Sequence, residues 1–198
     1  MTDLVRHETD GPAPVPADSE PAARSGKAEL WGWVRFLVAL GIAVFLITHV
    51  IGFSRVSGHS MEPSLHSRDF LFVNKAARYY RSPKTGDVAV IHSGALGYDI
   101  VKRIVGLPGE RVAIANGAVY VDGTPLAEIS VMGEPEDLPE QTVPDGFVFV
   151  LGDNRTPGES LDSRSPELGW VPLREIRGYA VWSLFPWGSI AHPLPTDK

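Results

Sequence analysis

The sequence predicts a mainly β protein in which a single N-terminal transmembrane helix precedes an antiparallel β-sheet domain. Three observations lead there. The run FLVALGIAVFLITHVIGF, residues 36–53, carries no charge apart from His49. After Arg55 the chain is a series of short apolar segments bounded by Gly, Pro, Asp and Asn. Helical periodicity of any length is absent outside the apolar run.

Taken in order, residues 1–29 are Pro- and Ala-rich and charged, with little to bury, and read as a disordered tail. Residues 30–54 read as a membrane anchor. At 1.5 Å per residue the apolar run measures about 27 Å, close to the hydrocarbon thickness of a bilayer. Trp31 and Trp33 precede it, where interfacial aromatic residues belong. A buried core helix and a cleaved signal peptide are the competing readings. The late start of the run and the lack of an Ala-X-Ala site in VIGFSRVSG favour an uncleaved anchor. Arg24, Lys27 and Arg35 lie before it, Arg55 and Arg68 after it. By a small margin this places the N-terminus in the cytoplasm and the folded domain, residues 55–198, outside the plasma membrane.

Within that domain the expected strands are DFLFVN (residues 69–74), DVAVIHS (87–93), DIVKRIVG (99–106), two strands in ERVAIANGAVYVDGTPL, then GFVFVLG (146–152) and IRGYAVWSLFP (176–186). Asn116-Gly117 and Asp122-Gly123 are turn dipeptides. The acidic, proline-bearing stretch from 128 to 145 reads as a solvated loop. VWSLFPWGSI reads as an internal strand or as an apolar patch touching the bilayer.

Composition narrows the function. The formal net charge is −6, which argues against a nucleic-acid partner, since that affinity comes from Lys and Arg neutralising phosphates. There is no cysteine, so disulfides, thiolate metal sites and cysteine nucleophiles are excluded. A serine nucleophile needs a base. Ser60 in SGHSMEPSL is one candidate, but Glu62 breaks the G-x-S-x-G elbow, and His59, its neighbour, should point the other way. No histidine sits in a pattern that ties it to a serine and an acid. Lysine can serve if burial lowers its pKa. Lys102, in DIVKRIVGLPG, is the lysine flanked by apolar strand residues, although such a lysine is also compatible with a merely solvated strand position.

Four blocks in order resemble the type I signal peptidases (leader peptidases), membrane-anchored Ser-Lys proteases. They are VSGHSMEPSL, GDVAVI, IVKRIVGLPGERV and VPDGFVFVLGDNR followed by SLDSR. The resemblance implies an antiparallel β-sheet catalytic domain of the signal peptidase type. It implies Ser60 as nucleophile, Lys102 as general base, and Ser160 as the residue that hydrogen-bonds and orients the lysine. Asp153, Asp162 and Arg164 would brace the site, and Arg103 would pair with a carboxylate of the last block. The Ser60 N–H would serve the oxyanion hole. Val56, Met61 and Ile100 would line pockets for small side chains, giving Ala-X-Ala selectivity, or would be plain core residues. The implied partners are secretory preproteins and the lipid bilayer; no cofactor or metal is required. Two departures stand out. The spacing in GDNRTPGESLDSR is two residues longer before Ser160 than in the family pattern, and Pro157-Gly158 could absorb the insertion by a turn. Gly58 stands where some members carry a serine whose hydroxyl serves the oxyanion hole. Two other readings are a self-cleaving Ser-Lys repressor, for which residues 1–54 offer no helix-turn-helix, and a catalytically silent binder of secretory precursors.

Overall fold

The structure, a computed structural model, describes residues 26–128, 130–185 and 187–190. The expected tail, residues 1–29, lies mostly outside them. Helix α1 (Gly26–Phe45) continues into a π-helical turn, Leu46–Val50. Together they form a 25-residue stretch in which an 18-residue window reaches a mean hydropathy of 2.2 and has no buried residue. A helix of this length and apolar character fits a lipid environment.

The anchor read from sequence ran to residue 54, whereas strand β1 (Ile51–Arg55) already begins at Ile51. Both are apolar runs, and composition does not separate the end of a helix from an adjoining strand. The β-branched Ile51 and an extended backbone mark the change.

The remaining chain forms two antiparallel sheets. The larger one contains β1, β2 (Phe70–Asn74), β3 (Val88–Ser93), β4 (Tyr98–Gly106), β9 (Phe147–Leu151), β10 (Val171–Pro172), β11 (Ile176–Phe185) and β12 (Trp187–Ser189). Its order is β1-β2-β11-β3-β4-β9-β10, with β12 paired to β11. A short helix, α2 (Ala77–Tyr80), follows β2. The central position of β11 comes from its length, which lets it pair with β2, β3 and β12 at once. The smaller sheet has the order β7-β6-β5-β8, from β5 (Arg111–Ala115), β6 (Ala118–Val121), β7 (Thr124–Pro125) and β8 (Leu138–Thr142).

The predicted strands are all present. Asn116 and Gly117 both adopt positive φ, 51° and 75°, as a two-residue hairpin turn requires. Strand β8 corrects the reading of 128–145 as a loop. It pairs with β5 with a register shift between Val112 and Ile114. LPEQT has Thr142 as its one β-former and carries Pro139, so it is legible only as a tolerated edge strand.

Three apolar clusters hold the sheets. One joins β3, β4 and β9 to Leu168, Ile176 and Tyr179. A second joins β2 and β3 to Val56, Met61 and Leu65. The third seats the smaller sheet on Val105, Phe149 and Leu151. The second cluster matters most for function, because it lies directly beneath Ser60.

Candidate active site

Ser60 sits on a turn that the apolar core pulls tight. The Val56 N–H donates to Asp69 O at 2.9 Å, and the Arg68 N–H returns to Val56 O at 2.9 Å, closing the loop. Inside it, Glu62 N donates to His59 O at 3.1 Å and Leu65 N to Met61 O at 2.9 Å. Met61 and Leu65 are 1% and 0% exposed. Anchoring two side chains on either side of a single turn fixes the serine between them. Gly58 adopts φ +93°, a conformation that L side chains rarely adopt, so the turn itself favours glycine there.

Lys102 comes from the other side, on β4, opposite Ala89 of β3. It is 3% exposed, and its Nζ lies 2.6 Å from Ser60 Oγ. Burial lowers its pKa from 10.5 to about 8. The Arg164 guanidinium pushes in the same direction, while Asp162 and Asp153 oppose it. The lysine is therefore accessible in its neutral form near neutral pH. His59 pairs instead with Glu62, Nδ1 to Oε1 at 2.8 Å, out in solvent.

Alternation along β4 sends Arg103 to the opposite face. There it grips Asp153 with two parallel bonds, Nε to Oδ1 at 2.7 Å and Nη2 to Oδ2 at 2.6 Å, and also donates to Gly86 O at 2.9 Å. Both side chains are buried. The second brace is Asp162 with Arg164, Nε to Oδ1 at 2.9 Å and Nη2 to Oδ2 at 2.8 Å. Burial alone would push the Asp162 carboxyl up. Arg164 outweighs that, aided by the Ser160 hydroxyl and the Gly152 N–H, and the carboxyl is held below its ordinary value.

Ser160 is buried beside this brace, but its Oγ has no hydrogen-bond partner among the described residues. It lies near enough to Asp162 to help lower that carboxyl, short of hydrogen-bond geometry. The hydrogen bond to Lys102 that the resemblance implied is not formed. The insertion before it is accommodated as a turn: Glu159 N donates to Thr156 O at 3.1 Å, with Pro157 and Gly158 (φ +83°) at its corners. The longer loop leaves room for the Ser160 hydroxyl to sit apart from the lysine.

Three contributors escaped the sequence reading. A Cβ on Gly152 would overlap the Ser160 hydroxyl and the Ser60 carbonyl, so only glycine permits the close approach of the two loops. The Asn154 N–H donates to Ser60 O at 3.0 Å, tying the Ser60 turn to the last block. Arg155, 1% exposed, donates to Gly152 O at 2.7 Å and forks onto Glu128. The GDNR run contains all three, but only a spatial neighbour such as Glu128 reveals what each is for.

Ser60 and Lys102 open into a groove of about 340 Å³. Val56, Met61 and Ile100 line it, as expected, and Val56 and Met61 also belong to the core cluster beneath. Val56 and Met61 are thus core residues that also reach the groove, and Ile100 is a partly buried residue on its wall. On its far side β4 pairs with β9 only from Arg103 onward, so its edge from Tyr98 to Lys102 faces the groove without a ladder partner among the described residues.

Comparison with known proteins identifies relatives of the chain. Residues 30–185 match the family model described as signal peptidase, peptidase S26. The chain is 39% identical to a probable signal peptidase I-1 of Synechocystis, over 78% of this chain and 83% of that protein. It is 32% identical to a signal peptidase I of Bacillus amyloliquefaciens, over 87% and 97%. A crystal structure of a signal peptidase I from Enterococcus faecalis aligns with 50% of this chain and 97% of its own, at 30% identity and a TM-score of 0.43. With a family match across most of its length and relatives of this identity and coverage, the chain belongs to the signal peptidase I family, the serine endopeptidases that remove signal peptides from secreted preproteins.

Proposed function

We propose that Ser60 is the nucleophile and Lys102 the general base of this signal peptidase, and that the groove takes preproteins with Ala-X-Ala type cleavage sites. The observation that carries this is the 2.6 Å approach of Lys102 Nζ to Ser60 Oγ in a site that disfavours the charged lysine. An extended preprotein segment adds to the open edge of β4, and its alternate side chains enter the groove beside Val56, Met61 and Ile100. Large apolar groups on those walls leave space for small residues only.

Neutral Lys102 takes the proton from Ser60 Oγ as the oxygen attacks the scissile carbonyl. The oxyanion forms against the Ser60 N–H, which no protein acceptor occupies among the described residues. Gly58 supplies no side-chain donor there. The ammonium of Lys102 then gives its proton to the leaving amine, and the mature protein departs. Water, deprotonated by Lys102, attacks the acyl-enzyme and regenerates Ser60. Asp153, Asp162, Arg103 and Arg164 hold the two loops and β4 in register.

The apolar stretch Gly26–Val50 is the anchor, with the N-terminus in the cytoplasm and the catalytic domain outside. Anchoring raises the effective concentration of membrane-bound substrate. The direct contact between serine and lysine favours an enzyme over a silent binder. Detergent-solubilised protein incubated with an Ala-X-Ala preprotein tests the assignment: Ser60→Ala and Lys102→Ala should each abolish cleavage, and cleavage persisting in either removes that residue from the mechanism. Protease accessibility of the domain in intact cells tests the orientation.

A further inference from the structure

Beside the groove lies a second pocket, of about 400 Å³, with the opposite electrical character to the chain as a whole. Lys75, Arg78 and Arg177 line it; the one acidic side chain there, Asp99, is taken by His92 at 2.7 Å. The chain carries a formal net charge of −6, so three cations converging on one cavity go against its composition. None of the three pairs with a carboxylate among the described residues. The Lys75 Nζ reaches the Thr48 carbonyl at 3.4 Å. A Cβ on Gly52 would collide with the Lys75 stem, so glycine lets that stem lie against β1. Arg78 stacks on the Tyr79 ring at 4.5 Å, and its Nε is buried with no hydrogen-bond partner among the described residues. Arg177 is exposed on β11 and makes no hydrogen bond or ion pair among them.

The location decides what such a pocket is for. Thr48, part of its wall, lies in the last turn of the apolar stretch Gly26–Val50. Phe53, 64% exposed, lines it as well. A cavity walled by the end of a membrane span opens at the depth of the lipid headgroups. Guanidinium groups match phosphate oxygens in pairs, and a lysine adds a point charge.

We propose that this pocket binds the headgroup phosphate of an anionic phospholipid, one per chain. The inference rests on reading Gly26–Val50 as the span and is independent of the Ser-Lys assignment. Ser54 and Asp99 line both cavities, so a lipid seated here fixes the groove next to the membrane surface.

The test is native mass spectrometry of the full chain in detergent, titrated with phosphatidylglycerol, phosphatidylcholine or inorganic phosphate. One phosphatidylglycerol should bind in preference to phosphatidylcholine. Arg177→Gln, at an exposed position, should weaken it roughly fivefold, and Arg78→Gln with Arg177→Gln by a further factor of about five. Arg174→Gln, outside the pocket, should bind normally, and so should Ser60→Ala, which separates this result from any failure of the dyad. Equal binding of the two lipids, unchanged binding by the variants, or displacement of the lipid by equimolar inorganic phosphate would overturn the proposal.

Discussion

Lys102 and Arg103 are neighbours on one strand, both cationic and both buried, and the two faces of β4 treat them in opposite ways. Arg103 receives a full carboxylate partner, with Asp153 matched to it bond for bond. Lys102 receives a hydroxyl and keeps its carboxylates, Asp162 and Asp153, outside hydrogen-bond contact. Arginine stays charged in any protein environment, so its burial demands a counter-ion. Lysine can lose its proton, and withholding the counter-ion favours that loss. Under the proposed dyad the strand separates a structural cation from a chemical one by a single step of alternation.

Removing the chemical cation is the most severe way to break this comparison. Lys102→Met should lower kcat/KM by about 10³-fold or more. It should also stabilise the protein. A lysine whose pKa falls from 10.5 in the unfolded chain to about 8 in the fold binds its proton less well when folded. Stability therefore rises with pH between about 8 and 10.5, and below that window the buried lysine costs about 3 kcal/mol at most. Thermal melts of Lys102→Met should show a gain at pH 7 that shrinks towards pH 10.5. A loss of stability at pH 7 would mean that the lysine's contacts outweigh its desolvation.

On the opposite face the sign reverses. Asp153→Asn takes from the buried Arg103 its matched carboxylate, which should cost about 3–5 kcal/mol. Denaturant unfolding monitored by tryptophan fluorescence measures it. Activity should fall as far as unfolding and loop displacement account for, and because Asp153 raises the Lys102 pKa, the pH profile of the folded variant should move to lower pH. A profile that stays in place would confine Asp153 to holding Arg103.

The wild-type profile sharpens the contrast. If neutral Lys102 is the base, as proposed, kcat/KM should rise tenfold per pH unit below about 8 and level off above it. Arg164→Gln removes a cation that depresses Lys102 and releases the Asp162 carboxylate that raises it. Both changes favour the charged lysine, so the profile should move to higher pH. A profile that stays in place would confine Arg164 to holding its loop.

The same contrast explains what the sequence could and could not disclose. Most strands were legible because they follow local rules, such as turn dipeptides like Asn116-Gly117, and the meeting of Ser60 with Lys102 follows the motif blocks in order. The end of the anchor and β8 were not, since Ile51 continues an apolar run and LPEQT carries a proline in place of a strand signature. Within the site, Gly152 and the Arg155–Glu128 pair were hidden because their roles exist only across two loops. Arg103 pairs with the last block as its family pattern implies, whereas Ser160 does not reach Lys102.

Ser160 gives the smallest expected effect. Its hydroxyl is buried without a partner, so Ser160→Ala removes an unsatisfied polar group and should change stability by less than about 1 kcal/mol, in the stabilising direction. If the lysine is positioned by its own burial and by Ser60, kcat/KM should fall less than tenfold with no change in the pH profile. Ser160→Thr should then be tolerated no better than alanine, because the close approach to Gly152 leaves little room for an added methyl. A loss of a hundredfold or more in Ser160→Ala, with the pH profile displaced, would instead mean that the Thr156–Glu159 turn closes when substrate binds and brings Ser160 onto Lys102. The inserted Pro157-Gly158 turn would then be a moving part of the catalytic site.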